Sequence, residues 1–83
     1  MAKIYKLAEI KNGSKGWLVL LLQEILKARG LYKGGLDGQF GPATEEAVRA
    51  YQDARTKAGA NIGGVDGIVG TKTWGDLLGL ARV

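Results

Sequence analysis

Residues 42–57 carry the clearest alternation of apolar and polar positions in the chain. At helical spacing Ala47, Val48, Tyr51, Ala54 and Ala58 share one arc, while Glu45, Arg49, Asp53 and Lys57 share the other. The pattern predicts a helix from Pro42 to about Lys57, opened by a proline that needs no N–H there and closed by Gly59. Glu45 with Arg49, and Asp53 with Lys57, stand as acid-before-base pairs four residues apart, the order that supports an exposed helical face.

A first helix is predicted from about Lys15 to Arg29, with Ser14 as N-cap and Gly30 as the stop. Leu18, Val19, Leu21, Leu22, Ile25 and Leu26 cover its inward side. Leu20 falls among Gln23, Glu24 and Lys27 and is expected to be exposed; with Trp17 beside it, the two form a candidate patch for a partner. A short third helix, about Thr71 to Leu80, turns Trp74, Leu77, Leu78 and Ala81 inward. Residues 1–10 alternate indistinctly and read as an N-terminal extension, a strand or a tail able to cover that patch, ahead of a domain spanning 11–83.

Sliding the chain against itself by 29 positions superposes Val19 on Val48, Gln23 on Gln52, Gly30 on Gly59, Gly34 and Gly35 on Gly63 and Gly64, Asp37-Gly38 on Asp66-Gly67, Gly41 on Gly70 and Thr44 on Thr73. Seven of these nine identities fall between Gly30 and Thr44, an order that glycine richness alone does not produce. The chain therefore reads as two copies of a helix, a glycine-bearing loop and an Asp-Gly turn leading into the next helix. In each turn the aspartate can bond backbone two residues on, the glycine accepts positive φ, and Phe40 or Val69 drops into the core. Asp37, Gly38, Phe40, Gly41, Asp66, Gly67 and Gly70 are thus assigned to the turn scaffold, with Gln23 and Gln52 able to bond loop backbone from a helix face.

Composition then narrows the chemistry. The 83 residues include no histidine and no cysteine, which removes imidazole catalysis, thiolate chemistry, disulfides and the usual zinc ligand sets. No metal or cofactor is expected. The longest apolar run, Trp17 to Leu22, is far below the roughly 20 residues a membrane helix needs, and residues 1–10 contain no signal-peptide stretch. Net charge is +4 but uneven: residues 1–33 hold seven basic and two acidic groups, residues 34–83 five and six. That field favours an anionic partner such as nucleic acid, a lipid surface or a charged cell wall.

The ordered set of residues resembles the three-helix peptidoglycan-binding domain found beside the catalytic domains of bacterial and phage wall hydrolases. The resemblance runs through Gly13-Ser14-Lys15-Gly16, Leu22-Gln23, Gly30-Leu31-Tyr32, the stretch Asp37 to Thr44, Tyr51-Gln52, the stretch Val65 to Gly70, and Thr73-Trp74 with Leu77. It departs in a longer connection from Thr56 to Gly64 and in the lack of an adjoining catalytic domain. The resemblance implies an all-α three-helix fold and non-catalytic binding to murein, through glycan, stem peptide or both. Such binding would target an attached or partner hydrolase to its substrate at the cell wall, within a longer exported protein or a phage-derived one. For such a carbohydrate-binding module the candidate contacts are the loop residues Tyr32, Lys33, Gln39 and Asn61, with Arg49 on the exposed face of the second helix.

The residues bear on two further possibilities. A helix-turn-helix needs a tight turn and a basic recognition helix, whereas here about twelve residues separate the first two helices and the second is nearly charge-balanced. A structural or prodomain-like module would pack on its own enzyme through Trp17 and Leu20. Catalysis by the chain finds no support: Glu45 and Glu46 point about 100° apart on a helix, and Asp37 and Asp66 are committed to turns.

Overall fold

The computed structural model describes residues 8–79. Three helices account for the regular structure: α1 (Trp17–Ala28), α2 (Pro42–Lys57) and α3 (Thr71–Leu78). The second matches its expected bounds. The first begins two residues later than expected, because Ser14 is not its cap: Ser14 Oγ accepts from the Lys11 backbone N–H at 3.0 Å, and Gly16 holds the N-cap at φ 118°. The third ends at Leu78, with Gly79 in the left-handed conformation; Leu80 and Ala81 lie outside the described residues.

Helices α1 and α2 stop in the same way. The N–H of Leu31 bonds the carbonyl of Leu26 and that of Gly30 bonds Lys27; on α2, Ala60 bonds Arg55 and Gly59 bonds Thr56. In each, a left-handed glycine lets the chain fold back and satisfy carbonyls that the helix leaves open.

The core is one cluster of Ile10, Val19, Leu22, Leu26, Tyr32, Phe40, Ala47, Val48, Tyr51, Val69, Trp74 and Leu77. Three expectations need correcting here, one of them Leu78, which lies exposed in the last position of α3 although the inward arc was expected to include it. Ala54 and Ala58 are exposed, and α2 instead buries Thr44, Ala47, Val48, Tyr51 and Gln52, its inward arc rotated toward the glutamine whose amide is drawn into a polar network. Leu20 is half-buried, because the turn at Gly38 packs over it; a Cβ on Gly38 would lie 3.9 Å from that of Leu20.

The N-terminal strand-like segment takes a course that periodicity did not reveal. Ile10 is buried and exchanges both backbone bonds with Val69, at 3.1 and 2.9 Å, while Ala8 accepts the Trp74 indole N–H at 3.0 Å. Further on, Gly13 N–H donates to Phe40 O at 2.9 Å, and Phe40 N–H donates to Ser14 O at the same distance. One strap therefore ties down the exits of both Asp-Gly turns. Among the described residues this strap leaves Trp17 70% exposed. Residues 1–7 of the extension lie outside the described residues.

Candidate functional site: two grooves beside the Asp-Gly turns

Each turn is held by a glutamine reaching from the preceding helix. Gln23 is fully buried, and its Nε2 lies 3.0–3.3 Å from Asp37 Oδ1, Gln39 O, Thr44 Oγ1 and Tyr32 OH, while its Oε1 accepts the Gly38 N–H at 2.9 Å. Gln52, equally buried, reaches Asp66 Oδ1, Ile68 O and Thr73 Oγ1 at 2.9–3.2 Å and accepts from Gly67 at 2.9 Å and Asp66 at 3.1 Å. The amide has only two protons, so these acceptors share them. Among the described residues no buried side-chain nitrogen or oxygen is left without a partner.

Each aspartate closes its own turn: Gln39 N–H donates to Asp37 Oδ1 and Ile68 N–H to Asp66 Oδ1, both at 2.9 Å. Gly38 and Gly67 adopt φ 71° and 76°, and a Cβ on Gly67 would meet the Glu45 side chain at 3.0 Å. At these two positions the turn and the packing both demand glycine. The Gln39 N–H, and after it the Gln23 amide, hold the Asp37 carboxyl below its usual range. The anionic form is the one the turn binds.

Beside each turn lies an open groove. The first, about 220 Å³, is lined by Gly13, Ser14 and Lys15 of the strap and by Asp37, Gln39, Phe40 and Gly41. The second, about 240 Å³, is lined by Glu9, Ile62, Gly63, Asp66, Ile68 and the stretch Gly70 to Thr73. Asp37, Gln39 and Gly41 in the first groove occupy the places of Asp66, Ile68 and Gly70 in the second. The strap forms a wall of both.

Of the five candidate contacts, Gln39 alone lines a groove. Lys33, Arg49 and Asn61 are exposed; Arg49 pairs with Glu45 at 3.2 Å, and Asn61 precedes the Ile62-Gly63 wall of the second groove. Asn12, then Arg49, hold the Glu45 carboxyl below its usual range. Tyr32 must be removed from the set. It is 5% exposed, donates to Gly35 O at 2.6 Å and accepts from Gln23, because the first loop needs a large ring to fill the space above the glutamine. The residues that periodicity missed are Ser14, Lys15, Thr71 and Lys72. The basic excess in the first third of the sequence was the only hint, and Lys15 belongs to it.

A second polar cluster lies between α2 and α3. Tyr51 OH donates to Asp76 Oδ2, Arg55 grips both Asp76 oxygens at 2.8 and 3.2 Å, and the Arg29 guanidinium stands 5.5 Å over the Tyr51 ring. Arg55 pulls the Asp76 carboxyl down, while burial and the Asp76 bond push the Tyr51 phenol up to about 12. Asp76 is matched by Arg55, and Arg29 donates to the Leu77 carbonyl at 3.3 Å as well as lying over the ring. Its role is to join helices.

Among the described residues no helix is long and apolar enough to cross a membrane, and no group of acidic residues is arranged to hold a metal ion.

Residues 15–77 match the family model described as "Putative peptidoglycan binding domain". The chain is 41% identical over 64 residues to the spore cortex-lytic enzyme of Bacillus subtilis (strain 168), a match that takes in 77% of this chain but 19% of that enzyme. Among solved structures it resembles the SleB N-terminal domain, with a TM-score of 0.74, 38% identity and coverage of 89% of this chain and 93% of that one. It also resembles the Burkholderia AP3 phage endolysin, with a TM-score of 0.71, 34% identity and coverage of 84% and 24%. The match to these hydrolases is confined to their peptidoglycan-binding portion, and over three quarters of its length the chain belongs to the peptidoglycan-binding domain family.

Proposed function

We propose that this chain attaches to the peptidoglycan of the bacterial cell wall without cleaving it, and so concentrates a linked or associated wall hydrolase on an insoluble substrate. The observation that carries the reading is the first groove. Ser14, Lys15, Asp37 and Gln39 present hydroxyl, cation, carboxylate and amide groups along an open channel, on a backbone held rigid by the buried Gln23 network. Such a surface suits glycan hydroxyls, acetamido groups and stem-peptide carboxylates, and it offers no positioned acid/base pair. Lys33, Arg49 and Asn61 are proposed as outlying contacts on the same loops and helix face.

One shallow module of this kind binds with about −4 to −7 kcal/mol, so its effect on a hydrolase is one of local concentration. The two helix–turn units are further proposed to be copies of one ancestral unit. The recurrence, 29 residues apart, of the glutamine-centred bonds and of both glycine helix stops supports this.

The test is sedimentation of the pure chain with insoluble sacculi at moderate salt, alongside filter binding to duplex DNA and a turbidity assay for lysis. Retention on sacculi without lysis is the expected result. Lysis, or retention on DNA alone, overturns the proposal. The 70% exposure of Trp17 favours a second reading, in which that ring packs on the chain's own enzyme. Trp17→Ser would then abolish enzyme contact and leave sacculus binding intact.

A further inference from the structure

Gly41 and Gly70 occupy the N-caps of α2 and α3 with φ near −111° and −99°, an extended conformation open to any residue. A Cβ on Gly41 would meet nothing within 4 Å, and one on Gly70 would meet only Glu9 Oε1, at 3.9 Å. Neither backbone strain nor packing asks for glycine. Helix stability would be served at least as well by serine, threonine or aspartate, whose side chains would bond an open N–H, and neither helix has a side-chain cap. Both glycines line a groove, in equivalent places. Glycine is tolerated at an N-cap, and what sets these two apart is their place: at the same point of two equivalent channels the absence of a side chain leaves bare backbone facing the groove.

The two channels also belong together. The strap pairs with Val69 at Ile10 and with Phe40 at Gly13 and Ser14, so its two contact points are at most about 14 Å apart along an extended chain. The linings share one chemistry as well. Each groove offers a turn carboxylate, Asp37 or Asp66, a hydroxyl, Ser14 or Thr71, and one lysine, Lys15 or Lys72; the second adds Glu9. Both internal bonds to Asp37 and Asp66 go to Oδ1; among the described residues Oδ2 of neither has a partner. In each groove the free carboxylate oxygen offers an acceptor to the hydroxyl and acetamido N–H donors of a sugar backbone, while the lysine is the one group that would draw a stem-peptide carboxylate.

We infer that the two grooves are successive subsites for one glycan strand laid along residues 9–15, with Gly41 and Gly70 kept bare so that sugar rings can seat against the backbone. This rests on the reading of the chain as a peptidoglycan binder and specifies which part of that polymer is held. Two linked subsites make the second contact intramolecular, so affinity must rise with glycan length.

The experiment measures binding of short and long peptide-free murein glycans by calorimetry, with sedimentation on intact sacculi as a parallel arm. Gly41→Ser and Gly70→Ser are compared with the unaltered chain, and melting temperature is recorded for each. The expected result is that each serine leaves the melting temperature equal or higher, lowers affinity for the long glycan about tenfold, and reduces it to the level of the short one. Gln39→Ala and Lys72→Ala, at exposed groove positions, should weaken binding in the same sense without touching the backbone. Affinity independent of glycan length, serine variants that bind like the unaltered chain, or binding only of peptide-bearing fragments overturns the inference. Sedimentation with sacculi that survives those outcomes leaves the parent reading standing; failure to sediment removes both.

Discussion

The unit around Gln23 and the unit around Gln52 share a polar knot but not its surroundings. Where α2 offers Tyr51 and Arg55, α1 offers Leu22 and Leu26 at the equivalent positions, and where α3 offers Asp76, α2 offers Ala47. The first unit lies at the centre of the bundle and packs these positions as hydrocarbon. The second reaches the rim, where a tyrosine, an arginine and an aspartate bind one another instead. The loops differ in a complementary way: the first is filled by Tyr32 with Lys33 outside, the second by Ile62 with Asn61 outside. The lesson is that the turn requires the glutamine, the aspartate, the glycine and the threonine, while the material packed around them is negotiable.

Five substitutions, in three groups, sharpen that comparison. The largest effect belongs to the knots. Gln23→Ala and Gln52→Ala each strand a buried threonine hydroxyl and turn N–H groups, and each should cost about 3 kcal/mol in urea unfolding: the first also takes a donor from Tyr32, the second leaves the Asp66 N–H open besides that of Gly67. Near-neutral loss at either position would mean that the turns hold themselves.

Next comes the rim cluster. Asp76→Asn breaks a charge-assisted pair at a largely buried carboxylate and should cost about 1–2 kcal/mol at neutral pH. The sign with pH follows from the lowered Asp76 carboxyl. The folded state holds this group anionic at pH values where the unfolded chain has begun to take up a proton, so its contribution is full above the ordinary aspartate value of 3.8 and drains away as acid is added. Unfolding curves across that acid range should converge for Asp76→Asn and the unaltered chain; curves that stay parallel would remove Asp76 from the acid response.

The smallest effect separates the two loops. Tyr32→Phe removes one bond to Gly35 and one from Gln23, for about 1 kcal/mol, whereas Asn61→Ala at the equivalent exposed site should stay within about 0.5 kcal/mol in the same thermal melts. Equal losses would show that the second loop depends on Asn61 in a way its exposure does not suggest.

Much of the framework could be read from residue order. Pro42 and Gly59 bracket α2, and the 29-residue offset located both turns, because these signals are local: a missing N–H, a left-handed stop, an aspartate bonding two residues on. What escaped was set by contacts between distant residues. Ser14 looked like a cap until the strap drew it toward Lys11, and Tyr32 looked like a loop residue until Gln23 and Gly35 claimed its hydroxyl. The grooves escaped for the same reason: their strap wall, from Glu9 to Lys15, meets the turns through pairings spanning 24 residues or more.

Trp74 and Trp17 divide the chain's indole fluorescence into two channels. Trp74 is 2% exposed and hydrogen-bonded to the strap, so its emission is blue-shifted and responds only when the bundle opens. Trp17 emits from water at the mouth of α1, accessible to iodide or acrylamide. The molecule thus carries its own unfolding probe and its own surface-occlusion probe, distinguishable by wavelength without any attached dye.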